Sequence, residues 1–284
     1  MNGTNVPVAE YLRRTGLPSL PSPTVTGLRD LVRAQSLTIA FENLDVLARR
    51  PIRLEPDAIS EKILRRGRGG YCFELNGLLG DALQAAGFRH RPAMARVTYR
   101  RNAPGPCTHL VHLVECAGGT WLVDAGFGGP GLIEPLDFTP GRESRQNGAD
   151  FRLVAEPGGG LHLQRKIAGE WAGLYVVADH PIVPADVMMA NHFVSTWEGS
   201  PFRSLFMCAL PVSGGLIAIQ GTELVRLDSE LARTGGEAMT SGADLRSVMR
   251  AAFGVEVAPD VAEAAWTAVV AAAGAKATAP AAPR

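Results

Sequence analysis

Cys72 stands in the run Arg68-Gly69-Gly70-Tyr71-Cys72-Phe73-Glu74-Leu75-Asn76-Gly77. A Gly-Gly pair followed by an apolar segment predicts a helix that opens at the cysteine. The first N–H groups of a helix have no helical acceptor and the dipole there is positive, so a thiolate is favoured over a thiol. The thiolate is the reactive form of cysteine. Arg68 stands close enough in sequence to add positive charge.

A nucleophilic cysteine needs a base for its proton and a third group to orient that base. The candidate histidines are His90, His109, His112, His162, His180 and His192. His109 and His112 share one predicted strand and are three residues apart, so they face opposite sides of the sheet. The next strand ends in Asp124, an acid in an apolar run, and a buried carboxylate must be paired. A two-residue turn at Gly118-Gly119 would set Asp124 opposite Leu113, which shares a face with His109 and not with His112. Parity therefore selects His109. The same register leaves His109 four residues from Leu113, roughly 13 Å along an ideal strand. An even register shift or a bulge is needed to close that gap.

Other candidate sites read more plainly. Residues 126–131 satisfy G-x-G-x-x-G, but a dinucleotide site needs a helix directly after it, and Pro130 with residues 132–138 predicts none. Glu74 in a first helical turn reads as a capping residue. Cys107, Cys116 and Cys208 read as small buried apolar residues, with no C-x-x-C pair or zinc spacing among the cysteines. His192, in Asn191-His192-Phe193, reads as a packing residue.

The elements that must position these groups follow from periodicity and punctuation. Residues 1 to about 90 read as helical, including 58–64 and a helix over 73–86 that stops at Gly87. Residues 93–99, 108–116, 121–125, 151–155, 161–166 and 174–177 read as strands of an antiparallel sheet or small barrel, with hairpin turns between them. A short helix is predicted at 188–194, strands at 206–211, 215–220 and 222–227, and closing helices at 242–253 and 259–272. The Ala/Pro-rich stretch 273–284 reads as a frayed tail.

At 284 residues the chain is long for a single core, which suggests two or three packed units. Lys plus Arg and Asp plus Glu are 28 each, and this balance argues against nucleic acid as a partner. No stretch approaches the ~20 apolar residues of a membrane span. The N-terminus lacks a signal-peptide pattern, so a cytoplasmic protein with reduced thiols is expected.

The ordered motifs resemble one family. The Cys72 run, Thr108-His109, and Val123-Asp124-Ala125-Gly126-Phe127-Gly128 look like the arylamine N-acetyltransferases. Phe41-Glu42-Asn43-Leu44-Asp45, Asn191-His192-Phe193 and Ser200-Pro201-Phe202 match as well, in order, so the likeness spans about residues 41–227. The chain departs from the family pattern at Ala40, where a proline is common, and at Ala125, where valine is usual.

The resemblance implies an α+β fold related to papain-like cysteine proteases. It implies a helical domain with the nucleophile (1–90), an antiparallel β-barrel domain with His and Asp (91–205), an α/β lid (206–272) and a flexible tail (273–284). It implies Cys72 as nucleophile, His109 as base and Asp124 as orienting acid. Acetyl-CoA would be the acyl donor, with no metal, contacted by Thr108, Gly128, Gly129 and Phe202. An arylamine or hydrazine would be the acceptor, against Phe41, Phe127 and Phe202. The reaction implied is ping-pong through an acetyl-cysteine.

Other readings of the same residues are an amide synthase of this family that releases a polyketide chain, a cysteine protease or transglutaminase-like hydrolase, and an inactive binding module. Monomer and homodimer are equally open.

Overall fold

The structure is a computed structural model that describes residues 6–101, 105–178 and 180–278. The N-terminal part holds helices α1 (Val8–Thr15) and α2 (Val25–Thr38), the short strand β1 (Phe41–Glu42), and helices α3 (Leu44–Leu47), α4 (Pro56–Ser60) and α5 (Cys72–Ala85). Thr24 caps α2 by accepting from Gly27 N at 3.1 Å. Leu28, Leu31, Val32 and Gln35 form its buried face, at the i, i+3, i+4, i+7 spacing of an amphipathic helix. The helix expected at 58–64 is divided between α4 and a π-helical turn at Glu61–Arg65. Helix α5 opens at Cys72, and Gly87 follows it at φ +80°.

The eight-stranded sheet uses β2 (Arg89–Val97), β3 (Cys107–Cys116), β4 (Gly119–Val123), β5 (Leu136–Asp137), β6 (Glu143–Gln146), β7 (Ala149–Ala155), β8 (Leu161–Ile167) and β9 (Glu170–Val177). It is antiparallel, in the order β5-β4-β3-β2-β9-β8-β7-β6. β5 and β6 were not foreseen, being too short to show an alternating pattern. Strand β3 serves two cores. Val111 and Leu113 face the barrel interior with Leu122, Phe151, Leu163 and Tyr175. Leu110 and Val114 face the helical core with Phe73, Leu75 and Leu79.

The β3–β4 hairpin corrects the expected register. Cys116 pairs with Gly119 and Leu113 with Leu122, so the turn is Ala117 and Gly118, both at positive φ. Such a pair suits the type I′ hairpin turn. The register moves by two residues, so the parity between Asp124 and His109 is kept while the gap between them shortens. A second irregularity lies beside His109. β2 pairs Ala95 with His109 but Arg96 with Cys107, leaving Thr108 as the extra residue of a bulge.

After α6 (Pro184–Thr196), a five-stranded sheet is built from β10 (Cys208–Val212), β11 (Gly215–Gln220), β12 (Glu223–Asp228) and β13 (Arg233–Ala238), with β1 on its edge beside β10. Helices α7 (Gly242–Phe253) and α8 (Pro259–Thr278) pack on it through Leu245, Met249, Phe253, Val261 and Ala265. β13, with Gly235 and Gly236, has no apolar alternation and was not foreseen. Helix α8 runs past the expected end of its helix to Thr278, and residues 279–284 of the expected tail lie outside the described residues.

Candidate active site

Two buried ionic groups hold the start of α5. Glu74 reaches back to accept from Tyr71 N at 3.1 Å, the capping role its position suggests. Its other oxygen meets Lys62 Nζ at 2.7 Å, and Lys62 also meets Asp45 at 2.8 Å. Burial pushes the Glu74 carboxyl up against the opposing pull of Lys62. Burial works against the Lys62 ammonium, but the carboxylates of Glu74, Glu42 and Asp45 hold it above its ordinary value. Arg68 is taken by Glu42 at 2.7 and 2.9 Å and by Asp45 at 3.3 Å. Its charge is therefore spent on fixing the backbone before the helix, which corrects the expectation that it serves the sulfur.

Cys72 keeps 4% of its surface exposed. Its thiol donates to the carbonyl oxygen of Thr108 at 3.7 Å, so the bulge in β3 reaches the nucleophile directly. His109 Nε2 lies 2.7 Å from Asp124 Oδ2, and the sulfur of Cys72 lies close enough to favour the charged imidazole. Burial opposes a charged imidazole here. The carboxylate of Asp124 and the sulfur of Cys72 outweigh it and raise His109 to about 10. Asp124 is likewise penalised by burial, yet His109, Asn76 and Gly126 N hold it below the usual carboxylate range. The two shifts agree on an imidazolium–carboxylate pair.

His112 takes the opposite state. Burial, and then His90 beside it, lower it to about 4. Its Nε2 donates to Asn76 O at 2.7 Å and its Nδ1 faces His90 Nδ1 at 3.2 Å. It is a neutral structural group on the far face of β3, as the spacing implies.

The site contains residues to which sequence reasoning gave no role. Asn76 donates to Asp124 Oδ1 at 2.9 Å and to Leu110 O at 2.6 Å, and accepts from Ala125 N at 3.0 Å. The available signal was its spacing, since residues four apart on a helix share a face and Asn76 is four from Cys72. Tyr175 lays its ring 4.9 Å from His109 and 5.3 Å from Phe127. Its hydroxyl sits beside Asp124 without reaching hydrogen-bond geometry. The β2–β9 pairing that brings it there, with β2 between β9 and β3, spans too much sequence to be read from spacing.

The glycine loop after Asp124 closes over the helix start. A Cβ on Gly126 would lie 2.9 Å from Cys72 Cα and 2.8 Å from Asn76 Nδ2. Gly128 has φ +72°, and a Cβ there would strike the Phe41 ring at 2.6 Å. No helix follows this loop, in keeping with the rejection of a dinucleotide motif. Phe127 packs 5.5 Å from His109, and Phe202 lies 6.3 Å from Phe41 and 5.9 Å from Tyr71. Thr108 O is on the thiol, Phe41 and Phe202 share one apolar cluster with Cys72, and Phe127 reaches the site through His109. Gly129 lines a small pocket with Phe41, Phe127 and Gly128. His192 is exposed, contrary to a packing role. Its neighbour Asn191 does that work, accepting from Tyr71 Oη and donating to Ile52 O at 3.2 Å.

The model of an N-acetyltransferase family matches residues 24–262. The chain belongs to the arylamine N-acetyltransferase family. It is 36% identical to the arylamine N-acetyltransferase / N-hydroxyarylamine O-acetyltransferase of Salmonella typhimurium, over 76% of this chain and 77% of that protein. It is 35% identical to the arylamine N-acetyltransferase of Mycolicibacterium smegmatis, over 77% and 85%. The solved Salmonella typhimurium enzyme superposes with a TM-score of 0.86 at 30% identity, covering 93% of this chain and 98% of that one. A Mycobacterium marinum arylamine N-acetyltransferase in complex with CoA gives 0.85 at 31% identity, covering 92% and 99%. As an arylamine N-acetyltransferase family member the chain is an acetyltransferase enzyme of α+β fold, and the motifs at Cys72, His109 and Asp124 fall inside the matched region.

Proposed function

We propose that this enzyme moves an acetyl group from acetyl-CoA to the nitrogen of an arylamine or arylhydrazine, by a ping-pong route through acetyl-Cys72. The observation that carries this reading is the contact series Cys72–His109–Asp124, with its 2.7 Å ion pair. The thiol proton already rests on His109 as the imidazolium, and Sγ attacks the thioester carbonyl. The C–S bond to CoA breaks and His109 returns the proton to the leaving thiolate. The amine nitrogen then attacks acetyl-Cys72, gives its proton to His109, and Sγ leaves. Asp124 stays ionised throughout and holds the imidazole in one orientation. Exchange between two thioesters is nearly isoenergetic, so a single residue can serve as acid and base in turn.

In this reading Thr108, Gly128, Gly129 and Phe202 contact the CoA arm, and Phe41, Phe127 and Phe202 form the apolar wall for the aromatic ring. Gly126 and Gly128, where a side chain would collide, let the loop backbone approach the acyl group. The helical part (1–90) delivers the nucleophile, the barrel part (91–205) delivers the base and acid, and the C-terminal part (206–272) covers the site. Initial rates at varied acetyl-CoA and varied amine test the order of events. Parallel double-reciprocal lines are expected, and converging lines would rule out a free acetyl-enzyme.

A further inference from the structure

On the other face of β9 from the active site lies a second acid–imidazole–hydroxyl series. Glu156 Oε1 is 2.7 Å from His162 Nδ1, and His162 Nε2 is 2.9 Å from Thr98 Oγ1. A carboxylate only accepts hydrogen bonds, so the imidazole proton sits on Nδ1 and Nε2 is the acceptor. Thr98 therefore donates its hydroxyl proton to Nε2. This is the bonding order that activates a hydroxyl nucleophile. Tyr175, which packs on His109, and Val176, which lines the second cleft, are consecutive in a strand and point to opposite faces.

The arrangement is built into the sheet. A Cβ on Gly173 would lie 2.4 Å from His162 Nε2 and 3.0 Å from Thr98 Oγ1, so glycine there makes room for the contact. The β8–β9 register shifts beside it, and Leu174 O accepts from both Thr98 N and Tyr99 N. Glu156 is fixed in its hairpin by Glu156 N to Gly160 O at 3.1 Å and Gly159 N to Glu156 O at 3.0 Å. The three residues open on a cleft of about 660 Å³ that Arg96 and His180 also line. Arg96, in β2, lines the same cleft as Thr98 just beyond the strand's end and donates to Gly105 O at 3.1 Å.

We propose that Thr98, His162 and Glu156 form a second nucleophilic site, independent of Cys72, that hydrolyses esters of small carboxylic acids. Thr98 Oγ bonds to the ester carbonyl carbon as its proton passes to His162 Nε2. The C–O bond to the alcohol breaks, and the alcohol leaves with that proton. Water then attacks the acyl-threonine, giving one proton to His162, which returns it to Thr98 Oγ as the acid departs. Glu156 remains a carboxylate that steadies the imidazolium, and the Arg96 guanidinium favours esters carrying negative charge.

The test uses the Cys72→Ala protein, so that failure of this site and failure of the acetyl-transfer reading are told apart. A fluorophosphonate probe reacts with an activated hydroxyl by forming a P–O bond and expelling fluoride, the hydroxyl proton going to His162. Peptide mapping should place the adduct on Thr98, and His162→Gln should slow it by at least about 100-fold, the scale of a lost general base. Thr98→Ser, a primary hydroxyl in the same place, should label faster. Hydrolysis of 4-nitrophenyl acetate by Cys72→Ala should exceed that of Cys72→Ala with Thr98→Val, while Thr98→Val alone keeps acetyl transfer. Labelling of Thr98 no faster than of other exposed serines and threonines, or unchanged in a His162→Gln protein that melts cooperatively, would overturn the proposal. Equal ester hydrolysis with and without Thr98 would also do so.

Discussion

His109 is pinned by Asp124 on one side and meets Cys72 on the other. Replacing Asp124 with Asn removes the charge that orients and supports the imidazolium. Acetyl transfer should fall by about 10⁴-fold with the fold intact, and a loss under tenfold would show that Asp124 is not the orienting acid. The raised His109 also links stability to pH. Protonated His109 is favoured by the native state, so its contribution is complete below the unfolded value of 6.5 and is lost as pH rises through about 10. Asp124 behaves oppositely: its contribution is present above 3.8 and is lost as pH falls through its lower native value. The difference in Tm between the wild type and His109→Gln should therefore be largest between these limits and shrink from pH 6.5 to 10. A difference that stays flat over that range would contradict the ion pair.

Helix α5 and the strands beside it set the geometry that these residues use. Lys62 pairs with the buried Glu74 carboxylate at the helix start and with the half-buried Asp45. Lys62→Met should cost about 3–5 kcal/mol, because it leaves Glu74 and Asp45 without their shared cation. Urea unfolding measures this, and a change below 1 kcal/mol would show the network to be incidental. At Gly126 a methyl group would lie 2.9 Å from Cys72 Cα. Gly126→Ala should cut kcat/KM well beyond what its lower Tm explains, and activity at the wild-type level would show that the loop has room to spare. The helix start at Cys72, the β3 strand and the face of His109 were legible in the sequence, because glycine punctuation and period-two alternation are local signals. The turn at Ala117 and Gly118 was not, since Gly118-Gly119 offers an equally good turn one residue on. The fate of Arg68 was hidden too, because Glu42 lies 26 residues away and only the fold brings them together.

Across the whole molecule, three packed regions meet at the site. Phe41 pairs with Ala209 of β10 and bridges to Gly70 just before the nucleophile. One short strand therefore ties the C-terminal sheet to the helix start and seats the glycine loop. Its strand is two residues long, too short for periodicity to reveal. Phe41→Ala should destabilise the protein by about 3–5 kcal/mol, and a single cooperative transition in the variant would show that the regions unfold as one. The barrel contributes through β3, whose one face packs on α5 while the other carries His109. The most direct test of the account is the first half of the reaction alone. Mixed with acetyl-CoA and no amine, the protein should carry one acetyl group, mapped to Cys72, which an added arylamine removes and which His109→Gln forms far more slowly. An unmodified Cys72 in folded protein, or an acetyl group held elsewhere, would contradict it.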